Sequence, residues 1–187
     1  MAIINVIEYE RASGRLKNIY DDLIFKRGKL AEVHKIQSLR PESIVKHMDL
    51  YLEIMFSKSE LSRAEREMMA VVTSVSNKCH YCQIHHSEAL NNYWKDGERI
   101  LRLQNNFYDA QLSEREFLLC EFSESLTLNP VEFKKPEHIN KLKNIGLIDE
   151  AILDAALVVA YFNFVNRIVL GLGVTIESNG ATGGYNY

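Results

Sequence analysis

Apolar residues recur at helical spacing along most of the chain. From Leu16 to Ile24 they follow the intervals of three and four residues that place side chains on one face of a helix. The same intervals return after Pro41, a residue suited to the first position of a helix, and continue through Ile44, Val45, Met48, Tyr51, Leu52 and Met55. No segment alternates apolar and polar residues over the useful length of a strand. The pattern therefore predicts an all-α fold.

Two helix starts are marked by capping boxes, in which a serine and a glutamate three residues later satisfy each other's free backbone N–H groups. Ser62 with Glu65 precedes the segment REMMAVVTSV, and Ser113 with Glu116 precedes FLLCEFSESL, a helix that Pro130 is predicted to end. The other predicted elements are a helix from Ser76 or Asn77 to about Lys95 that Gly97 ends, a short helix from Pro136 to Gly146, and a last long helix from about Asp149 to Leu170.

The two capping boxes belong to similar segments, LSRAERE from Leu61 and LSEREFL from Leu112. In register, the second copy has Leu118 where the first has Glu67, and Pro130 where the first has Cys79. Two explanations fit this similarity. Either a helical unit was duplicated and only the first copy kept its polar residues, or two helices use the same common cap. The sequence favours neither.

Length and charge limit the domain organisation and the partners. The 187 residues suit a single domain or a compact pair of halves. We predict one domain, with a helical N-terminal part over about 1–60, a redox core over about 61–96, C-terminal helices over about 112–173 and a mobile tail over about 178–187. The net charge is −3 without a basic stripe, so we expect neither nucleic acid nor an anionic membrane as a partner. The apolar run from Ala155 to Phe162 is too short to span a bilayer, and the first residues lack the order of a signal peptide. A cytoplasmic location is expected.

The chemistry of the chain is concentrated in NKCHYCQIHH. On a helix capped at Asn77, Cys82 lies about 60° from Cys79 and His86 falls between them, whereas His85 lies about 120° away. The first turn of a helix stabilises a thiolate, and a histidine one turn beyond Cys82 can take its proton. The spacing therefore predicts a dithiol within reach of a disulfide bond, with His86 as its base.

A zinc site is the alternative use of the same residues, but it needs four ligands. Cys79, Cys82 and His86 supply three at best, and the third cysteine, Cys120, is expected to pack in a buried helix face. We therefore expect no bound metal and no other cofactor.

Glu67 is the remaining polar residue of interest, because it directly precedes the apolar run MMAVV. Its carboxylate either lies at the solvent edge of the helix or is directed at a polar partner such as an imidazole. Taken alone, the residues favour the solvent edge.

The segment EREMMAVVTSVSNKCHYCQIHH resembles the core of the alkylhydroperoxidase D (AhpD) and carboxymuconolactone decarboxylase superfamily. The shared motif is a glutamate, eleven residues, C-x-x-C, three residues and a histidine, and here it consists of Glu67, Cys79, Cys82 and His86. The flanking segments from Leu39 and from Leu153 resemble the peroxidase-related subgroup. The resemblance implies an AhpD-like helical bundle, assembly as a homo-oligomer (dimer, trimer or hexamer) and reduction of peroxides by a cycling dithiol.

The predicted activity is therefore that of a thiol-dependent peroxidase whose partners are a peroxide and an external dithiol of the dihydrolipoyl or thioredoxin type. The helix dipole favours Cys79 as the attacking thiol and the position of His86 favours Cys82. The resemblance implies Cys82 as the attacker, with Cys79 resolving, His86 as base and Glu67 as its relay partner. The alternatives are a decarboxylase-like lyase of the same superfamily and a redox sensor without turnover.

Three further residues are candidates of second rank. AhpD carries a histidine directly before the second cysteine, where this chain has Tyr81. His85 lies beside the motif but at a less suitable angle. Arg167, in the final helix, could neutralise a thiolate or bind an anionic substrate, although an ion pair at an interface is the more common use of such a residue.

Overall fold

A computed structural model describes residues 2–177, and this part of the chain is built of α-helices and short 3-10 segments without a strand. The predicted all-α fold is confirmed. The mobile tail predicted for residues 178–187 lies outside the described residues. The α-helices are α1 (Gly14–Arg27), α2 (Glu32–Lys35), α3 (Pro41–Phe56), α4 (Arg63–Ser76), α5 (His80–Trp94), α6 (Gly97–Asn105), α7 (Glu114–Leu128), α8 (Glu137–Asn144) and α9 (Asp149–Leu172).

The chain divides into two compact units. The first consists of Met1–Glu53 with Arg167–Tyr187, and the second of Ile54–Asn166, so that the boundaries fall inside α3 and α9. The interpretation of residues 1–187 as a single domain stays a prediction.

Helix α4 forms the centre of the second unit, where it packs against α5, α6 and α7. Met68, Met69, Ala70 and Val71 are all fully buried. A helix with four consecutive buried residues is covered on every side, which explains why its sequence lacks a polar stripe. Each large apolar side chain buried in this way contributes about 1.5–3 kcal/mol through the hydrophobic effect.

Both predicted capping boxes are confirmed, and both also connect helices. Ser62 and Glu65 cap α4, and Ser113 and Glu116 cap α7, each by reciprocal hydrogen bonds. Glu65 also pairs with Arg115 of α7 at 2.6 Å, and Glu116 pairs with Arg99 of α6 at 2.9 Å. These capping carboxylates therefore fix α4, α6 and α7 relative to one another.

The predicted start of α5 is wrong, whereas its predicted end at about Lys95 is confirmed, although Gly97 is not the residue that ends it. The helix begins at His80 rather than at Ser76 or Asn77, because Asn77 is the C-terminal cap of α4. At the other end, Gly97 is the first residue of α6, a helix that the periodicity missed. The break comes two residues earlier at Lys95, which adopts a left-handed conformation with φ 52°. The side chain of Asp96 then accepts a hydrogen bond from the Arg99 N–H at 3.0 Å and starts the next helix.

By length and composition, α9 could cross a membrane, since an 18-residue window reaches a mean hydropathy of 1.7. The run from Ala155 to Phe162, which was considered too short to span a bilayer, is therefore only part of the apolar segment of α9. In the structure 44% of that window is buried inside the protein, and the core helix of a soluble protein meets the same criterion. One such helix is weak evidence for a membrane, and the cytoplasmic location stays a prediction.

In the first unit, His47 of α3 is buried with its Nδ1 atom 2.7 Å from the Gln37 side-chain amide nitrogen. The amide donates to the ring nitrogen, so the ring is held as a neutral acceptor. Burial disfavours the charged imidazolium and lowers the pKa of His47 to about 4.

We expect this histidine to destabilise the protein in acid. Between pH 6.5 and about 4 the unfolded chain binds a proton that the folded chain refuses, so the free energy of unfolding falls as the pH falls, by about 3 kcal/mol from this group. Denaturant titrations at pH 7 and pH 4 should give a smaller acid loss for His47→Gln than for the wild type. His80→Gln, which changes an exposed histidine, is the control and should lose as much as the wild type. Equal acid losses in all three proteins would contradict the assignment.

Candidate functional site

The turn between α4 and α5 places the first cysteine. The Lys78 N–H donates to Val75 O at 2.9 Å, and the Cys79 N–H donates to Ser74 O at 2.9 Å. Lys78 itself is left-handed with φ 57°. These bonds are those of a Schellman motif, which ends α4 and fixes the residue that follows it. Cys79 is therefore held by the end of one helix and serves as the N-terminal cap of the next.

The two cysteines lie with their sulfur atoms 3.0 Å apart and both are unbridged thiols. Both side chains are buried, with 0% of Cys79 and 2% of Cys82 exposed. The predicted reach of a disulfide bond is confirmed, although the geometry differs from the predicted one. Cys79 precedes the helix instead of lying in its first turn, and Cys82 is in the first turn.

The surroundings of the two sulfurs separate their pKa values. The two thiols share a hydrogen bond and the Cys82 backbone N–H donates to the Cys79 sulfur, and these bonds lower the pKa of Cys79 against the opposing effect of burial. The pKa of Cys82 is raised, because its proton is held by the Cys79 sulfur and its surroundings are apolar. The pair therefore loses its first proton from Cys79 and keeps the second between the sulfurs.

Glu67 and His86 form a second pair beside the dithiol, with Glu67 Oε2 2.7 Å from His86 Nδ1. The α4–α5 hairpin brings them together, although 19 positions separate them in the chain. Glu67 is completely buried, so the interpretation of a carboxylate at the solvent edge is wrong. The helix is covered on every side, and Glu67 faces the imidazole instead of water.

Arg63 also binds Glu67, and the sequence did not lead us to predict this contact. Its guanidinium donates to Glu67 Oε1 at 2.6 Å and to Met55 O at 2.6 Å. Both oxygens of the buried carboxylate are thus bonded, one to a cation and one to the imidazole. The signal was available, since Arg63 and Glu67 are four residues apart and lie on the same face of a helix.

An aromatic wall covers the imidazole. The ring of Phe162 meets His86 edge to face, with centroids 4.4 Å apart, and Tyr161 packs against Phe162 at 5.0 Å. Both aromatic side chains are buried. They shield part of the imidazole, whose side chain keeps 14% of its surface exposed, while Glu67 is fully buried.

Three asparagines connect α9 to the turn that carries Cys79. The Asn77 side-chain amide donates to Asn163 Oδ1 at 3.1 Å and to Asn166 Oδ1 at 3.0 Å. The sequence indicated only that Asn163 and Asn166 interrupt an apolar helix. Their bonding to Asn77 depends on tertiary packing and left no signal in the local pattern.

The second-rank candidates are placed differently from one another. Tyr81 is buried, and its ring lies 4.3 Å from that of His85 between centroids, so these two form a pair of their own on α5. Arg167 is an exposed residue of α9 and belongs to the other compact unit. Its proposed role toward a thiolate or a substrate stays a prediction.

The zinc alternative finds no ligand set in residues 2–177, where no group of three or more His, Cys, Asp and Glu side chains could hold a metal ion. Cys120 is fully buried in α7, as expected for a packing residue, and burial raises the pKa of its thiol well above the usual value.

These features define an all-α protein with a buried dithiol one helical turn from a histidine that is paired with a buried glutamate. Residues 44–105 match the sequence model of the carboxymuconolactone decarboxylase family. None of the curated proteins matches the chain.

Solved structures share the fold over nearly the whole chain. An uncharacterised peroxidase-related protein with an AhpD core from Ralstonia eutropha JMP134 is 22% identical, with a TM-score of 0.85, over 96% of this chain and 94% of its own. A peroxidase-related protein from Silicibacter sp. TM1040 is 26% identical, with a TM-score of 0.82, over 93% of both chains. The debrominase Bmp8 is 19% identical, with a TM-score of 0.77, over 96% of this chain and 95% of its own.

The match over residues 44–105 and the shared fold agree with the resemblance to the AhpD and carboxymuconolactone decarboxylase superfamily that was seen in the sequence. The superfamily contains enzymes, and peroxidase-related proteins are among the similar structures.

The geometry of Glu67 leads to a prediction about the thiols. Glu67→Gln should raise the pH at which the first thiolate forms, because His86, the base expected to accept the thiol proton, would lose its bond to a carboxylate. It should also slow the reaction of the dithiol with peroxide at least about tenfold, within the range for general acid–base groups. Thiolate absorbance against pH and the rate of peroxide consumption measure the two effects.

The matched control is Glu65→Gln, which alters a neighbouring carboxylate that serves the capping box. This variant should lose stability but keep the thiolate titration and the rate of the wild type. An equal loss in both variants, or none in either, would show that Glu67 serves only the structure.

Proposed function

We propose that this protein is a thiol-dependent peroxidase that reduces alkyl hydroperoxides with the Cys79–Cys82 dithiol. The observation that carries the proposal is the 3.0 Å separation of the two sulfurs next to the 2.7 Å contact between Glu67 and His86. A disulfide needs sulfurs that can come together, and proton transfer needs a polar pair beside them. Both requirements are met inside one helical hairpin.

In the first step the Cys82 thiolate attacks the terminal oxygen of the peroxide. The S–O bond forms as the O–O bond breaks, and the alkoxide leaves as an alcohol after taking a proton from His86. In the second step the Cys79 sulfur attacks the Cys82 sulfur of the sulfenic acid: the S–S bond forms as the S–O bond breaks, and the oxygen leaves as water with the proton that the Cys79 thiol held. Two electrons pass from the dithiol to the peroxide, and a disulfide remains.

An external dithiol completes the cycle. Its thiolate attacks one sulfur of the disulfide to form a mixed disulfide, and its second thiol releases the reduced protein. A dihydrolipoyl or thioredoxin-type donor has the required chemistry. Both cysteines are buried, so the reductant cannot reach their sulfur atoms unless the turn that carries Cys79 opens.

The choice of Cys82 as the attacking sulfur rests on two arguments. It lies one helical turn before His86, and it keeps a small exposed surface whereas Cys79 has none. The lower pKa of Cys79 opposes this order. Since the remaining proton lies between two sulfurs 3.0 Å apart, its transfer to Cys79 makes Cys82 the thiolate.

The two alternatives, a lyase and a redox sensor, differ from a peroxidase in how they would use the dithiol. A decarboxylase-like lyase does not require two cysteines in contact. A redox sensor would use the same disulfide, but it would be oxidised once and would not turn over.

Steady-state peroxide consumption is the decisive measurement. With an alkyl hydroperoxide and either a dihydrolipoyl or a thioredoxin-type donor, we expect many turnovers per protein. Cys82→Ser and Cys79→Ser should each abolish turnover, and only the chain that retains Cys82 should form a sulfenic acid that a selective trapping reagent labels. Cys120→Ser is the control, because Cys120 is buried in α7 and should not affect the rate.

The outcomes separate the hypotheses. Consumption of one peroxide per dithiol without further turnover with any donor would favour the sensor. Decarboxylation that survives loss of both cysteines would favour the lyase. Labelling only in the chain that retains Cys79 would reverse the roles of the two sulfurs.

We also propose that the protein forms a cytoplasmic homo-oligomer. Leu153, Leu157 and Phe164 are exposed and form one stripe along α9, since their directions differ by about 40° or less. An apolar stripe of this kind is suited to contact with a second copy of the chain.

Light scattering at micromolar concentration should give a mass of at least twice the 21.5 kDa of one chain. Leu157→Glu should reduce this mass, because it places a charge in the stripe, whereas Leu101→Glu changes an exposed leucine on α6 and should not. A wild-type monomer would disprove the proposal.

A further inference from the structure

Asn166 is a fully buried polar residue in the apolar helix α9. Its Oδ1 atom accepts a hydrogen bond from the Asn77 side chain at 3.0 Å, and its Nδ2 atom donates to Ser74 Oγ at 3.3 Å. A buried amide needs partners for both its oxygen and its nitrogen. These two bonds fix the plane of the amide and therefore the direction of the second N–H.

The partners of Asn166 lie at the end of α4, directly before the turn that carries Cys79. Asn77 is the cap at the end of α4. Ser74 is one helical turn earlier, and its carbonyl oxygen accepts from the Cys79 N–H at 2.9 Å and from the Gln83 side chain at 3.2 Å. A single side chain of α9 therefore connects the end of α4 with the residue whose carbonyl holds Cys79.

The Asn166 amide also acts as a hydrogen-bond donor to the Cys82 side chain. The Asn166 side chain lowers the pKa of Cys82, which acts against the effects of Cys79 and of burial. An N–H group has this effect when it donates to sulfur, because the bond is stronger to a thiolate than to a thiol.

We infer that Asn166 is a positioning residue of the dithiol: it fixes the Asn77–Cys79 turn and directs an amide N–H at the Cys82 sulfur. The thiolate would accept this bond before it attacks a peroxide. The same sulfur would accept it again when an external thiolate attacks Cys79 in the disulfide, the S–S bond breaks and Cys82 leaves with the electron pair.

Asn166 differs from the other groups around the dithiol because it carries no charge. The titratable groups of the site are Glu67 with Arg63 on α4, and Cys79, Cys82 and His86 at the start of α5. The amide stabilises the thiolate without taking its proton, so it complements His86 and does not duplicate its role.

Asn163 provides a matched comparison on the same helix. Like Asn166, it accepts a hydrogen bond from the Asn77 side chain. Its own amide, however, donates to Thr127 Oγ1 at 3.1 Å and to Val159 O at 3.0 Å, which uses both of its N–H groups. Loss of Asn163 thus weakens the turn without removing a donor from the sulfur.

The test is the pH dependence of thiol alkylation by iodoacetamide in the reduced full chain, with Cys79→Ser and Cys120→Ser as the background, so that Cys82 is the thiol that reacts. This measurement needs no peroxide turnover. It therefore separates the inference, which rests on the dithiol of the proposed function, from the peroxidase activity itself. Asn166→Ala should raise the pKa of the Cys82 thiol by about one unit, the equivalent of one hydrogen bond to a charged group. Asn163→Ala should leave it unchanged.

Asn166→Asp keeps the size of the side chain and the acceptor for Asn77, but it replaces the N–H donor by a carboxylate. It should raise the thiol pKa at least as much as Asn166→Ala, and it carries the test if the alanine variant does not fold. Equal shifts in the Asn163 and Asn166 variants would show that Asn166 only supports the turn. No shift in any variant, with folding verified by circular dichroism, would overturn the inference.

Discussion

A buried carboxylate is the constraint on which the site depends. Glu67 has no contact with solvent, and a charge in such a place is stable only if its oxygens are bonded. Arg63 binds one oxygen and His86 the other. This pairing requires α4 and α5 to form a close hairpin with one register, because a shift by one residue would turn Glu67 away from His86. The cost of burying the charge thus fixes the geometry of the two helices that hold the chemistry.

The turn between these helices converts that geometry into the position of the thiols. A Schellman motif usually has glycine at its left-handed position, and here it has Lys78 with φ 57°. The strained residue persists because the turn is bonded from several sides: Ser74 and Val75 accept its backbone N–H groups, and Asn77 binds α9. Cys79 is therefore held beside Cys82 before any disulfide forms, which reduces the conformational entropy that closing the bond would cost.

The sequence predicted most of what depends on local pattern, although α6 and Arg63 were missed, and it did not predict what depends on packing. Helical spacing, the capping boxes of Ser62 and Ser113, and the i, i+3 relation of Cys79 and Cys82 are all local, and each agrees with the structure. The partner of Glu67 was named through the family motif, because the residues alone favoured a surface carboxylate. The asparagine contacts join positions nearly ninety residues apart, and no periodicity within a helix could indicate them. The α5 start was misplaced because a left-handed lysine carries no sequence signal of the kind that glycine gives.

Comparison of α4 with α7 shows why only one of two similarly capped helices carries the chemistry. Both begin with a capping box whose glutamate also binds an arginine of a neighbouring helix. The start of α7 thus repeats that of α4, but Leu118 occupies the position of Glu67, so α7 buries no charge there and requires no histidine opposite it. Pro130, at the position of Cys79, follows the end of α7 and lacks the N–H that the Schellman motif of α4 uses to fix the cysteine. Whether the helices share an origin or only a cap, the difference in chemistry follows from one carboxylate and one backbone donor.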